Sequence, residues 1–288
     1  MTNTLKMNLS NVREGALKEV YDAVEEAFKA LGIDYYLIGA IARDTWYARA
    51  KKEPRKTFDV DFAALVGSNA EYEQVKQYLK DHKQYQETKG NAFVMIAPSG
   101  MQVDILPFGE IEIDDDIRLE GNGLTTIKVN GFKEVYDNGT QSVEMDTGHT
   151  FQVATLSAIV MLKLISYDDR PEQRLKDAGD IGNIIIHFVD LEPDLIYAEE
   201  NLDLYTGDDP NFEMFSMQGI SAVIIGREIK KIIEGNENLL NRIQAILVDK
   251  TEKQENSPFV RRMADETGST VAEVMDWIVG LKKGMEIG

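Results

Sequence analysis

The sequence predicts an α+β protein in which a small mixed sheet with helices packed against it precedes a helical half. Three observations predict it. Apolar residues follow helix and strand periodicities in the order helix, strand, helix, strand, helix, then several closely joined strands, over residues 11–107. From about residue 155 the texture turns helical and stays so almost to the end. With 43% hydrophobic and 28% charged residues in 288, the chain has enough apolar material for one large core or two modest ones. The simplest division is an α/β domain at 1–150 and a helical domain at 151–288.

The first helix is carried by Leu17, Val20, Tyr21, Val24, Ala27, Phe28 and Leu31, with Asn11 and Glu14 as its capping pair and Gly32 as its stop. Residues 35–39 (YYLIG) read as a strand, and 40–49 as a helix opening directly after the glycine. Such a helix points its free N–H groups back over the strand end, which suits an anion. Pro54 and its basic neighbours form a connector to a strand at 58–66 (FDVDFAALV), followed by a polar helix at 71–81 and strands at 84–88, 92–97 and 101–107. No glycine fingerprint follows a strand, so this is not a Rossmann unit. Residues 109–150 are acidic and β-leaning, with strands expected at 124–129 and 142–145.

In the second half, Leu156, Ile159, Val160, Leu162 and Leu164 are too apolar to face water, and Pro171 starts a second helical segment that runs to 188. Helices follow at 212–234, 237–252, 258–267 and 270–283, the last capped by Thr270 with Glu273. The final pair has a helix-turn-helix outline. The acidic balance favours an ordinary helical hairpin over a DNA reader.

There are 31 Lys plus Arg against 50 Asp plus Glu, a net charge of −19, which argues against a protein that coats nucleic acid non-specifically and leaves room for a local basic cleft. Cysteine is absent, so disulfides and thiolate nucleophiles are excluded. His82, His149 and His187 fall in different elements without ligand spacing, and no Gly-x-Ser-x-Gly elbow occurs. The acidic run at 111–116 lacks the spacing of a calcium loop. No apolar leader and no span-length apolar run is present, so a soluble cytoplasmic protein is expected.

The feature that carries chemistry is FDVDF. Asp59 and Asp61 are two apart in a strand, so both leave one face while Phe58, Val60 and Phe62 leave the other. Held that close, two like charges disfavour one another unless a cation lies between them; an exposed alternating strand is the plainer reading. Asp104 sits in the apolar run 101–107 (MQVDILP), where a carboxylate is costly unless it is paired or binds metal. If the two strands are neighbours, three carboxylates converge beside the helix start at Gly39. That combination suits two Mg²⁺ ions and a nucleoside triphosphate, since the ligands are hard oxygens.

The ordered set LIGAIARD, TFDVDFAAL and MQVDILPFG resembles the polymerase-beta-like nucleotidyltransferase fold. The stretch KLISYDDRPEQRLKDAGDIGNII is similar to the helical motif of the AbiEii type, the toxin half of abortive-infection and type IV toxin–antitoxin pairs; the likeness spans roughly residues 15–235. The resemblance implies Asp59, Asp61 and Asp104 as the metal ligands, with Asp104 also preparing the attacking hydroxyl. It implies Gly39 and Ala40 as the small pair against the triphosphate, Ala40 departing from the usual Gly or Ser, with Arg43 reaching the same anion and Asp44 anchoring it. Lys163 would stretch into a cleft completed by the helical domain to hold triphosphate charge, with Arg170, Arg174, Lys176, Asp177 and Asp180 forming the rest of that motif. The implied reaction transfers a nucleoside monophosphate from an NTP to the 3′ end of a tRNA or to a protein hydroxyl, and the implied partner is a cognate antitoxin. Adenylation of a small molecule such as an aminoglycoside uses the same carboxylates, and a catalytically silent member that binds nucleotide or a partner is the other alternative.

Overall fold

A computed structural model describes residues 5–7, 14–52, 59–113, 116–119, 123–205 and 215–286. The expected Asn11–Glu14 cap, the connector at Pro54 and the strand residue Phe58 lie outside what it describes. The chain divides into two compact units, Met1–Thr155 and Leu156–Gly288.

In the first unit the described strands are β1 (Leu5–Met7), β2 (Tyr35–Ile38), β3 (Asp59–Leu65), β4 (Gln86–Glu87), β5 (Val94–Ile96), β6 (Gln102–Phe108), β7 (Asp116–Arg118), β8 (Thr126–Lys128), β9 (Thr140–Met145) and β10 (Thr150–Ala154). Eight of them form one mixed sheet in the order β1-β9-β10-β2-β3-β6-β5-β4, and β7 and β8 pair separately. Its middle is antiparallel between β2 and β3 and parallel between β3 and β6. Helices α1 (Glu14–Leu31), α2 (Gly39–Arg49), α3 (Asn69–Lys83) and α4 (Phe132–Asn138) surround it.

The sheet is built around alternation. Val60 and Phe62 of β3 and Val103 and Ile105 of β6 are buried, while Asp59, Asp61, Gln102 and Asp104 between them are only half-buried. On the apolar face the Phe28 ring of α1 lies tilted against Tyr35 at 4.4 Å and meets Phe62 edge-on at 6.2 Å. The buried Tyr72 of α3 donates its hydroxyl to the Ile105 carbonyl at 2.8 Å, which ties that helix to β6. α2 is anchored by Trp46, whose indole N–H donates to the Ala154 carbonyl at 2.8 Å.

Where strands alone were expected at 109–150, α4 appears. Gly131, at φ 86°, opens it, Val135 is its one buried residue, and the Phe132 carbonyl accepts from the Tyr36 hydroxyl at 2.9 Å. Seven residues with one buried side chain make no periodic signal, so tertiary contacts decide the conformation. α3 is longer than the expected 71–81, because Ser68 caps its start by accepting from the Glu71 N–H at 3.2 Å.

The second unit comprises α5 (Leu156–Asp169), α6 (Leu175–Leu191), α7 (Pro193–Ile196), α8 (Met217–Ile232), α9 (Glu237–Lys253), α10 (Pro258–Thr267) and α11 (Val271–Glu286). No helix among the described residues is long and apolar enough to cross a membrane. Thr270 and Glu273 form the reciprocal cap ahead of α11, the Thr270 N–H donating to Glu273 Oε2 at 2.7 Å and the Glu273 N–H to Thr270 Oγ1 at 3.3 Å. α8 and α11 approach closely through Gly219, Gly226, Gly280 and Gly284. A Cβ on Gly284 would overlap the Val223 carbonyl, and one on Gly226 the Leu281 carbonyl.

That contact sets the sign of a substitution. Gly→Ala inside a helix ordinarily gains about 1 kcal/mol, yet here the added methyl meets backbone and overpacking costs about 1–3 kcal/mol. Gly284→Ala is expected to be net destabilising, read as a lower denaturant midpoint with unchanged slope; an increase in stability would show that the two helices are not in backbone contact.

Candidate active site

The parallel register of β3 and β6 sets Asp59 opposite Gln102 and Asp61 opposite Asp104. Residues in register share a sheet face, and neighbouring strands lie about 4.8 Å apart. Asp59, Asp61 and Asp104 therefore stand together on the half-buried face, opposite the face packed on α1 and α3. Gln102 completes the group, its side-chain amide donating to Asp104 Oδ1 at 2.8 Å. Gln102, a neutral amide in an apolar strand, gives no charge signal in the sequence; only its spacing of two from Asp104 points to it.

Gly39 lies against this face. It opens α2 at φ 67°, and a Cβ there would overlap Asp61 Oδ2. The glycine thus makes room for the Asp61 carboxylate, which packs beside the start of α2, where helix N–H groups favour negative charge. Ile38, in register with Asp61, is the N-cap residue and gives no side-chain cap. Ala40 follows in the first turn and is half-exposed. Arg43 is buried, with Nε and Nη2 donating to Asp44 Oδ1 at 2.9 and 2.7 Å and its guanidinium 5.9 Å from the Tyr47 ring centre.

Among the described residues no group of three or more His, Asp or Glu side chains is placed to hold a metal ion. Asp61 is turned to the Gly39 notch and Asp104 to Gln102. The donor set still fits a hard divalent cation, since Mg²⁺ binds through one or two carboxylates and keeps waters and substrate phosphates as its other ligands.

Lys163, Arg174 and Asp180 belong to the helical unit. Lys163 Nζ of α5 donates to Asp177 Oδ1 and to Asp180 Oδ2 of α6, both at 2.8 Å. Burial works to lower the Lys163 pKa, but the charges and hydrogen bonds of the two aspartates outweigh it, so the ammonium is held above its ordinary value. Arg174 is the exposed N-cap residue of α6. Burial, and then the charge of Arg174, push the Arg170 guanidinium below its usual value, against the pull of Asp169 and Asp177.

No family model matches the chain, and no curated protein matches it. Among solved structures it is similar to the antibiotic-resistance factor ANT(2'')-Ia, at 10% identity and a TM-score of 0.38 over 85% of this chain and 100% of that one. It is also similar to the Thermotoga maritima CCA-adding enzyme complexed with tRNA, at 10% identity and a TM-score of 0.25 over 94% of this chain and 80% of that one.

Two outcomes follow from these contacts. Gly32 has φ 70° with open space at its Cβ, whereas Gly39 has φ 67° and Asp61 in that space. Gly32→Ala is expected to cost only the left-handed strain of about 1–2 kcal/mol, and Gly39→Ala measurably more; equal losses in chemical denaturation would remove the Asp61 contact from the account. Lys163→Met removes the ammonium that Asp177 and Asp180 share and is expected to cost about 3 kcal/mol at neutral pH. Because the folded-state pKa of Lys163 is raised, its contribution is full below the unfolded lysine value and fades as pH climbs through the folded one. The gap in stability between wild type and Lys163→Met should therefore narrow in strongly alkaline buffer, and a gap that widens there would overturn the assignment.

Proposed function

We propose that the chain is a nucleotidyltransferase, joining a nucleoside monophosphate from an NTP to an acceptor hydroxyl. The observation that carries this reading is the register of Asp61 with Asp104, with Asp59 on the same face and Gly39 at its edge. Asp59, Asp61 and Asp104 would hold divalent cations, which when bound supply charge neutralisation to a triphosphate. Asp104 accepts the proton of the acceptor hydroxyl. The acceptor oxygen forms its bond to the α-phosphorus while the bond from that phosphorus to the bridging oxygen breaks, and pyrophosphate leaves. The N–H groups at the start of α2, with Gly39 and Ala40 leaving the backbone bare, face phosphate oxygens.

RNA, such as a tRNA 3′ end, or a protein hydroxyl is the acceptor we favour over a small cationic molecule. The Lys163, Asp177 and Asp180 group with Arg174 supports that preference through its likeness to the AbiEii motif, which also implies a toxin with a cognate antitoxin. A second reading, nucleotide binding without catalysis, draws on one feature: the Asp61 and Asp104 carboxylates are turned to separate neighbours.

Asp61→Asn tests the proposal, since it keeps shape and removes charge. Wild type and variant are incubated with Mg²⁺, each labelled NTP in turn, and total tRNA or a protein extract, following label transfer and pyrophosphate release. Transfer by wild type that falls by orders of magnitude in the variant is expected. Equal transfer would take Asp61 out of the mechanism, and no transfer together with a higher melting temperature in NTP and Mg²⁺ would establish the binding-only reading.

A further inference from the structure

Between the 3₁₀ turn Glu199–Leu204, the end of α8 and the start of α9 lies a cleft of about 600 Å³, inside the range of small-molecule sites, about 300–1,000 Å³. Every residue that lines it belongs to the helical unit. We propose that this cleft binds a small organic amine, an apolar body carrying an ammonium head. It is a ligand that nothing in the nucleotidyl-transfer reading requires.

The walls are fixed by the fold itself. In a 3₁₀ turn residues three apart share a face, so Asn201 and Leu204 are buried together while Glu200 and Asp203 meet Lys231 and Arg227 of α8. Arg227 clamps the turn to α8. Its Nη1 donates to the Glu200 carbonyl at 3.0 Å, to Asn201 Oδ1 at 2.8 Å and to Asp203 Oδ1 at 2.9 Å, and its Nη2 donates to Asp203 Oδ2 at 2.5 Å. On the other side Gly235, at φ 88°, turns the chain, and Asn236 caps α9 by accepting from the Leu239 N–H at 3.0 Å. Ile233 and Leu240, with the aliphatic stems of the basic side chains, make the surface mostly apolar.

Charge then selects the head group. The three basic residues of the lining are all engaged: Arg227 with Asp203, Lys231 with Glu200 and Glu228, both at 2.7 Å, and Lys230 likewise has a partner. An anionic ligand would have to compete with those partners. Glu234 and Glu237 line the same cleft and are exposed, and among the described residues neither side chain makes an ion pair or a hydrogen bond. An ammonium set beside them gains two opposite charges and breaks no existing contact. Its apolar body meanwhile covers Ile233 and Leu240.

The experiment titrates the full chain by calorimetry at neutral pH with n-octylamine, n-octanol and octanoate, which share one apolar body and differ in the head. Wild type is compared with the double variant Glu234→Gln/Glu237→Gln and with Leu240→Trp. In wild type octylamine is expected to bind more tightly than octanol by about fivefold or more, the effect of two exposed charge pairs, and octanoate most weakly. In the double variant the affinity for octylamine should fall to that for octanol, whose own affinity holds. Leu240→Trp fills the cleft and should remove binding of both; should that variant unfold, Leu240→Phe takes its place and should weaken both. Absence of octylamine binding to wild type, octanoate bound as tightly as octylamine, or octylamine affinity unchanged in the double variant overturns the amine site. Undiminished binding to a folded Leu240 variant puts the amine elsewhere and overturns it too. Nucleotide transfer is no part of the readout, so failure here leaves the nucleotidyl-transfer reading standing.

Discussion

Everything at the candidate site depends on the parallel pairing of β3 with β6. Slipping that register by one residue would turn Asp61 or Asp104 into the core and Phe62 or Ile105 out to water. Burying a large apolar side chain is worth about 1.5–3 kcal/mol, and Val60, Phe62, Val103 and Ile105 are all at most 1% exposed. Two carboxylates about 5 Å apart repel by about 1 kcal/mol in water and about 3 kcal/mol at the effective dielectric near a protein surface. The apolar face therefore decides the register, and the juxtaposed charges are its consequence. A fold held by Phe28, Phe62 and Tyr72 can carry a cluster of like charges that would not assemble by itself.

The two units handle neighbouring carboxylates by different means. In the helical unit Lys163 lies between Asp177 and Asp180, and its ammonium compensates them from inside the fold. On the β3–β6 face, two of the groups packed against the carboxylates, Gly39 and the Gln102 amide, carry no charge. Neutral neighbours hold a carboxylate in place without cancelling it.

What could be read from the sequence follows from how local each signal is. The alternation FDVDFAAL put Asp59 and Asp61 on one face before any fold was known, since a strand's period of two needs no partner. The spacing of Asp177 and Asp180 likewise put both on one face of α6. Their ion pairs to Lys163 join residues 14 and 17 positions apart across two helices, which no local pattern encodes. The pairing of Asp61 with Asp104 spans a helix and two strands, so it could be stated only as a condition on which strands are neighbours. β1 and α4 were missed for a related reason. Three residues and seven residues are too short for periodicity; β1 takes its conformation from pairing with β9, and α4 from its tertiary contacts. A neutral amide such as Gln102 adds nothing to a charge pattern, so its bond to Asp104 shows only in the fold.

The net charge of −19 bears less on nucleotide handling than it first suggests. Charges beyond about 8 Å are largely screened at physiological ionic strength, so the local arrangement decides. Lys163 donates to two carboxylates at once, so its positive charge is already engaged within the fold. Arg170 and Arg174 differ. Burial first, and then the charge of Arg174 at the exposed turn before α6, hold the Arg170 guanidinium below its usual value. Lys163 ties α5 to α6 through its hydrogen bonds to Asp177 and Asp180.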